Sequence, residues 1–220
     1  MVTPDAQSQR PMTQNPPPAA NHAPVAAFDF DGTITTHDSF MAFLRWRAGL
    51  FGYVAGLMRL IPASLAYLAH RDRGRIKAAA VAVFLKGVTC AKLSQDAERF
   101  ANETAHSFFR PDALAAWRQH QKAGDRVVIV TASPELVVAP FAKQLGADLL
   151  IGTRLLTDAK GCISAGFDGL NCRGTEKVRR LKAVFGDDFR PIDAYGDTSG
   201  DVEMLAMAER GHMGLFTARP

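Results

Sequence analysis

The chain has 220 residues, 47% hydrophobic and 22% charged, with a formal net charge of +4. That length fits one core domain with a modest insert. So mild a charge makes no case for nucleic acid, and there is no helix-turn-helix, zinc-finger spacing or RNA-binding aromatic motif. Three cysteines, Cys90, Cys162 and Cys172, include no Cys-x-x-Cys pair. That argues against a disulfide framework or a zinc site and points to reduced, cytoplasmic thiols.

Residues 1–24 hold six of the twelve prolines and lack the basic start and apolar run of a secretion signal. They are expected to be a disordered N-terminal tail. A strand follows at 25–30, ending in Asp29-Phe30-Asp31-Gly32-Thr33, and Asp38-Ser39 can cap a helix from about Phe40. Residues 40–110 read as helical throughout, with Ser94-Gln95-Asp96-Ala97-Glu98 resembling a helix start. Pro111 opens a helix to Lys122 that Gly124 ends.

The pattern then changes. Arg126-Val127-Val128-Ile129-Val130 is a short β-branched run suited to a strand buried on both faces of a parallel sheet. A helix from Pro134, a strand at 148–151 and a hairpin over 153–168 follow. A helix after Gly174, a strand at 191–195, a short helix at 200–208 and a weak last strand at 212–216 complete the chain. This alternation predicts an α/β fold, a Rossmann-like parallel sheet formed by residues 25–39 and 111–220. Residues 40–110 break the alternation and are assigned to a helical cap insert.

Four chemically loaded segments fall at or near carboxyl ends of strands, where ligands of such sheets bind. They are Asp29 with Asp31, Thr131-Ala132-Ser133, Lys177, and Asp197 with Asp201. Each has a plainer use. Asp197 and Asp201 can cap the short helix. Lys177, beside Arg179, Arg180 and Lys182, can belong to a solvated basic face. Thr131 can be an ordinary strand-end hydroxyl, and Asp38 a helix cap.

In order, spacing and strand context, the four segments resemble the haloacid dehalogenase (HAD) superfamily of phosphohydrolases from Asp29 to Asp201. The insert between the first and second motifs and the hairpin before the lysine resemble its phosphoserine-phosphatase-like branch, subfamily IB. Asp38-Ser39-Phe40-Met41-Ala42-Phe43 and Thr131-Ala132-Ser133-Pro134-Glu135 are similar to lipid-phosphate and CicA-type members. The resemblance implies a Mg²⁺-dependent phosphomonoester hydrolase working through an aspartyl-phosphate on Asp29. Asp31 would move protons and Lys177 would pair with the nucleophile or the phosphate. Thr131, Ser133 and Asp38 would contact the substrate. Asp29, Asp31 (through its backbone carbonyl), Asp197 and Asp201 would hold the metal. Phosphoryl transfer asks for positioning and charge neutralisation, which this residue set can supply. Two departures count against phosphoserine as substrate: Gly200 where phosphoserine phosphatases commonly carry Asn, and Asp38 where they carry Glu. A phosphotransferase or mutase using the same intermediate, and a non-catalytic phospho-ligand binding protein, remain the other readings.

Residues 49–69 are almost continuously apolar but are interrupted by Arg59 and Pro62. They are read as two cap helices packed on each other, with a membrane-surface helix or a true span as alternatives. Four cations and one carboxylate follow in His70-Arg71-Asp72-Arg73-Gly74-Arg75-Ile76-Lys77. This run suits a solvated turn, an anionic substrate or lipid headgroups. The expected partner is thus a small-molecule or lipid phosphate, with peripheral membrane contact through the cap left open. The sequence does not fix an oligomeric state.

Overall fold

The computed structural model of the chain describes residues 23–63 and 73–220. The tail expected over 1–24 lies almost wholly outside them, as does 64–72 of the apolar and basic stretches. The centre of the fold is a five-stranded sheet in the order β3-β2-β1-β6-β7. The strands are β1 (Val25–Phe28), β2 (Arg126–Pro134), β3 (Leu149–Thr153), β6 (Asp193–Gly196) and β7 (Arg210–Met213), and every pairing is parallel. The excursion at 153–168 is a separate antiparallel pair, β4 (Leu155–Thr157) with β5 (Ile163–Phe167).

Period-two alternation divides the core between the sheet's faces. Ala26, Phe28, Val127 and Ile129 belong to one buried cluster, and Val25, Ala27, Val128 and Val130 to the other. The second face is covered by α6 (Thr175–Phe185) and α7 (Val202–Met207), through Leu181, Met204 and Leu205. The first is covered by α1 (Ser39–Arg59), α3 (Cys90–Phe108), α4 (Pro111–Ala123) and α5 (Glu135–Leu145). Phe28 anchors it, with ring centroids 4.3 Å from Tyr195 and 4.9 Å from Trp117. Trp117 stays satisfied by donating Nε1–H to Leu145 O at 3.0 Å. Truncating a ring as buried as Phe28 costs about 3–5 kcal/mol.

Helices inserted between β1 and β2 share this core. Phe100 of α3 meets Phe43 of α1 at 5.5 Å and Phe141 of α5 at 5.8 Å. Helix α1 breaks at Gly49, whose φ of 67° and ψ of 169° are not helical. The piece beyond the break packs on α2 (Arg73–Phe84), with Tyr53 5.8 Å from Phe84. Gly56 makes that approach possible, because a Cβ there would stand 2.1 Å from Phe84 Cζ. The expected pairing of two helices within 49–69 falls partly on 64–69, outside the described residues; the packing seen is with α2, beyond that stretch.

Among the boundaries that differ from the sequence reading, two bear on packing. Helix α3 begins at Cys90, not Ser94, because Thr89 caps it by accepting Lys92 N–H at 3.2 Å. The last strand begins at Arg210, in register with Asp193, while Phe216 turns inward to stack on Tyr195 at 5.2 Å.

At the amino-terminal end of the sheet the buried Asp193 is well matched. Arg210 reaches it with Nε at 2.9 Å and Nη2 at 2.5 Å, and His212 Nε2 lies 2.7 Å away. Burial alone would raise its pKa, but these partners overcome that and hold the carboxyl below its usual range.

Candidate active site

Four elements bring their carboxyl ends or first turns together. After β1 the chain is pinned by Asp29 N–H donating to Tyr195 O at 2.8 Å. Ile34 and Thr35 N–H groups both return to Phe30 O. Gly32 sits at the turn with φ of 86°, and a Cβ there would lie 2.1 Å from Asp197 Oδ2. A side chain there would be strained in conformation and would displace the Asp197 carboxylate. After β6, Asp201 Oδ2 accepts Thr198 N–H and Thr198 Oγ1–H, each at 3.0 Å, shaping the loop that carries Asp197.

Lys177, in the first turn of α6, is 1% exposed and points inward. Its Nζ donates to Asp29 Oδ1 at 2.5 Å, Val130 O at 2.5 Å and Asp201 Oδ1 at 2.7 Å. Three acceptors satisfy the three ammonium hydrogens. Its neighbours Arg179 and Arg180 instead pair with Glu176, pulling that carboxyl down to about 2. The basic run thus splits, with one cation inside and the arginines tied to a local acid.

Asp29, Asp197 and Asp201 each offer a carboxylate oxygen within 4.8 Å of the others. Thr33 Oγ1 lies between two of them, 3.3 Å from Asp29 Oδ2 and 3.3 Å from Asp197 Oδ1. One ammonium does not offset this concentration of acid. Burial pushes the Asp29 carboxyl up to about 7, against the pull of Lys177 and with Asp201 and Asp31 adding to the rise. Asp197 is raised by burial and by Asp201. Burial would raise Asp201 too, but Lys177 holds it below its usual range. Surplus buried negative charge of this kind suits a bound cation, and three converging oxygen donors suit a hard divalent one.

Asp31 is held apart from that cluster. Its Oδ1 accepts Ser39 N–H at 2.7 Å, at the start of α1, and its Oδ2 accepts the Ser133 hydroxyl. Burial and the nearby charge of Asp38 raise its pKa. Ser133 is thereby committed to Asp31, and its own N–H donates to Thr131 Oγ1 at 3.0 Å. Asp38 caps α1 by accepting Met41 N–H at 2.8 Å, and it also borders the central cavity.

That cavity, of about 120 Å³, has Asp29, Asp31, Thr131 and Lys177 in its wall. Lys77 and Arg173 also line it; Lys77 belongs to the basic run that suits an anionic substrate, and Arg173 was not singled out by the sequence. Lys77, from α2, lies 3.4 Å from Ala132 O. Arg173 donates to Ser199 Oγ at 2.9 Å and approaches Thr198 Oγ1 at 3.4 Å. It occupies room that Gly200 leaves, since a Cβ on Gly200 would lie 2.3 Å from Arg173 Nη1 and 2.8 Å from its Cγ. The missing side chain at 200 was the one available signal. A wider groove of about 880 Å³ adjoins the cavity and shares Asn171 and Arg173 with it.

Residues 26–206 match the pattern of the haloacid dehalogenase-like hydrolase family. Protein CicA of Caulobacter vibrioides is 54% identical over 214 residues, covering 97% of this chain and 94% of its own. A probable phosphatase of Mycobacterium tuberculosis is 29% identical over 214 residues, covering 91% of this chain and 71% of its own. A phosphoserine phosphatase, solved as an analogue of its phospho-aspartyl intermediate, superposes with a TM-score of 0.57 at 18% identity. That likeness covers 86% of this chain and 84% of that one.

Proposed function

This chain belongs to the haloacid dehalogenase-like hydrolases and is a phosphatase, and on that premise we propose that it hydrolyses a phosphomonoester with Mg²⁺ through an aspartyl-phosphate on Asp29. The observation that carries the reading is the surplus of buried carboxylate around Lys177 at the carboxyl ends of the strands.

Asp29 attacks phosphorus as the bond to the leaving oxygen breaks, and Asp31 gives that oxygen a proton. Water then attacks the aspartyl-phosphate and loses a proton to Asp31, and the Asp29 carboxylate is released with inorganic phosphate. The raised pKa of Asp31 suits a group that must arrive protonated, and Ser39 and Ser133 fix where its proton is delivered. Lys177 holds Asp29 in place, and Thr131 is positioned to hydrogen-bond the phosphoryl group. Asp29, Asp197, Asp201 and the Asp31 backbone carbonyl would hold Mg²⁺, which when bound offsets the repulsion between carboxylate and phosphate. The helices of 40–110 act as the cap, reaching the cavity through Lys77. The substrate is the phosphate ester of a small molecule or lipid.

Phosphate release from p-nitrophenyl phosphate tests this with and without Mg²⁺, in the parent chain and in Asp29→Asn. Turnover that requires the metal and vanishes with the substitution is expected. Turnover retained by Asp29→Asn would overturn the nucleophile assignment.

A further inference from the structure

Beyond the break at Gly49, α1 carries Leu50, Phe51, Val54, Leu57 and Met58, and Ile61 follows in the helical residues 61–63. Their spacing places all six on one face roughly 120° wide. Helices of water-facing proteins bury such a stripe, but this one faces outward. Phe51 is 90% exposed, Leu50 61% and Met58 60%. The opposite face, with Gly56 and Leu60, is the one buried, with Gly56 against Phe84 of α2.

Charge along this part of the sequence is equally one-sided. Residues 39–77 contain seven arginines and lysines and one acid, Asp72, so they carry +6 while the rest of the chain carries −2. Arg45, Arg59 and Arg75 are exposed. Arg47 is tied to Asp96 at 3.0 Å, and Lys77 lines the central cavity. An exposed apolar stripe in an acid-poor, cationic region is complementary to a surface that is both apolar and anionic. No helix among the described residues is long and apolar enough to cross a membrane, so the complementarity is to a surface rather than to a span.

We propose that this face of α1 lies in the interface of an anionic lipid bilayer, with the stripe among the acyl chains and the cations at the headgroups. The charge asymmetry selects a membrane over a second copy of this chain, because two such faces would bring like-charged, acid-poor segments together.

The test uses the full chain, without substrate, sedimented with vesicles of equimolar phosphatidylcholine and phosphatidylglycerol or of phosphatidylcholine alone. The chain should co-sediment with the anionic vesicles and not with the neutral ones, and high salt should release it. F51E/M58E should lower the bound-to-free ratio by at least about tenfold. It should leave turnover of p-nitrophenyl phosphate unchanged, since neither residue borders the site. Arg59→Gln should weaken binding by roughly threefold to fivefold. Absence of co-sedimentation, or binding that F51E/M58E leaves intact, would overturn the proposal. So would a self-association that the same pair abolishes, which would make the stripe an interface between copies. Vesicle binding gained only after residues 1–22 are removed would assign the stripe to the tail and likewise overturn it. None of these readouts depends on phosphatase activity, so this inference and the proposed chemistry can fail separately.

Discussion

The two ends of one parallel sheet treat buried aspartate in opposite ways. At the amino-terminal end Asp193 meets Arg210 and His212, and its charge is stabilised. At the carboxyl end the buried Asp29 and Asp201 share Lys177, the less buried Asp197 stands beside them, and burial drives Asp29 up to about 7. Aspartate thus marks structure where its charge is matched and chemistry where it is not. Charge left in excess by the protein is the more telling sign of a site.

The comparison can be broken most sharply at Asp29. Asp29→Asn should cut phosphate release by about a thousandfold or more, while Asp193→Asn should leave turnover per folded molecule unchanged. A chelator should abolish turnover and Mg²⁺ should restore it, as phosphate release before and after dialysis will show.

Stability sharpens the contrast, because substitutions at the two ends should act with opposite signs in metal-free protein. Asp193→Asn should lower the melting temperature by roughly 5 °C. Asp197→Asn should raise it by a few degrees, by removing one of the crowded carboxylates, while abolishing the stabilisation that Mg²⁺ gives the parent.

The ends should also respond oppositely to acid. Asp29 has a folded-state pKa of about 7 against an ordinary value of 3.8. The penalty for its charge is full above about pH 7 and is relieved as the pH falls toward the ordinary value. Metal-free protein should therefore melt higher at about pH 5.5 than at about pH 8, and Asp29→Asn should flatten that slope. Asp193 has a lowered pKa, so its contribution is present above the ordinary carboxylate value. It should be lost only as the pH falls below about 4. The smallest effect is expected from Arg173→Ala, a rise in KM of roughly tenfold with a lesser change in kcat, read from steady-state kinetics.

Much of the sheet was legible because its strands are short β-branched runs that few other environments tolerate. The carboxylates were legible because Asp-x-Asp at a strand end has few structural uses. Helix α3 was misplaced by four residues because Ser94 to Glu98 imitates a cap inside a helix that Thr89 already starts. Lys177 could not be told from Arg179 and Arg180 by spacing, since only packing decides which cation turns inward. Arg173 was missed because Asn171-Cys172-Arg173-Gly174 carries no charge run or motif of its own, while Lys77 was legible only as part of a basic run suited to an anionic substrate; their convergence on one cavity is tertiary.

The contact between Arg173 and Gly200 also bears on how this loop can evolve. A side chain at position 200 has no room while the arginine is present, because even Arg173 Cγ lies 2.8 Å from where a Cβ would stand. Once Arg173 is shortened, that space opens. A lineage exchanging one polar contact for the other must change position 173 before position 200, so sterics fix the order of substitutions along that path.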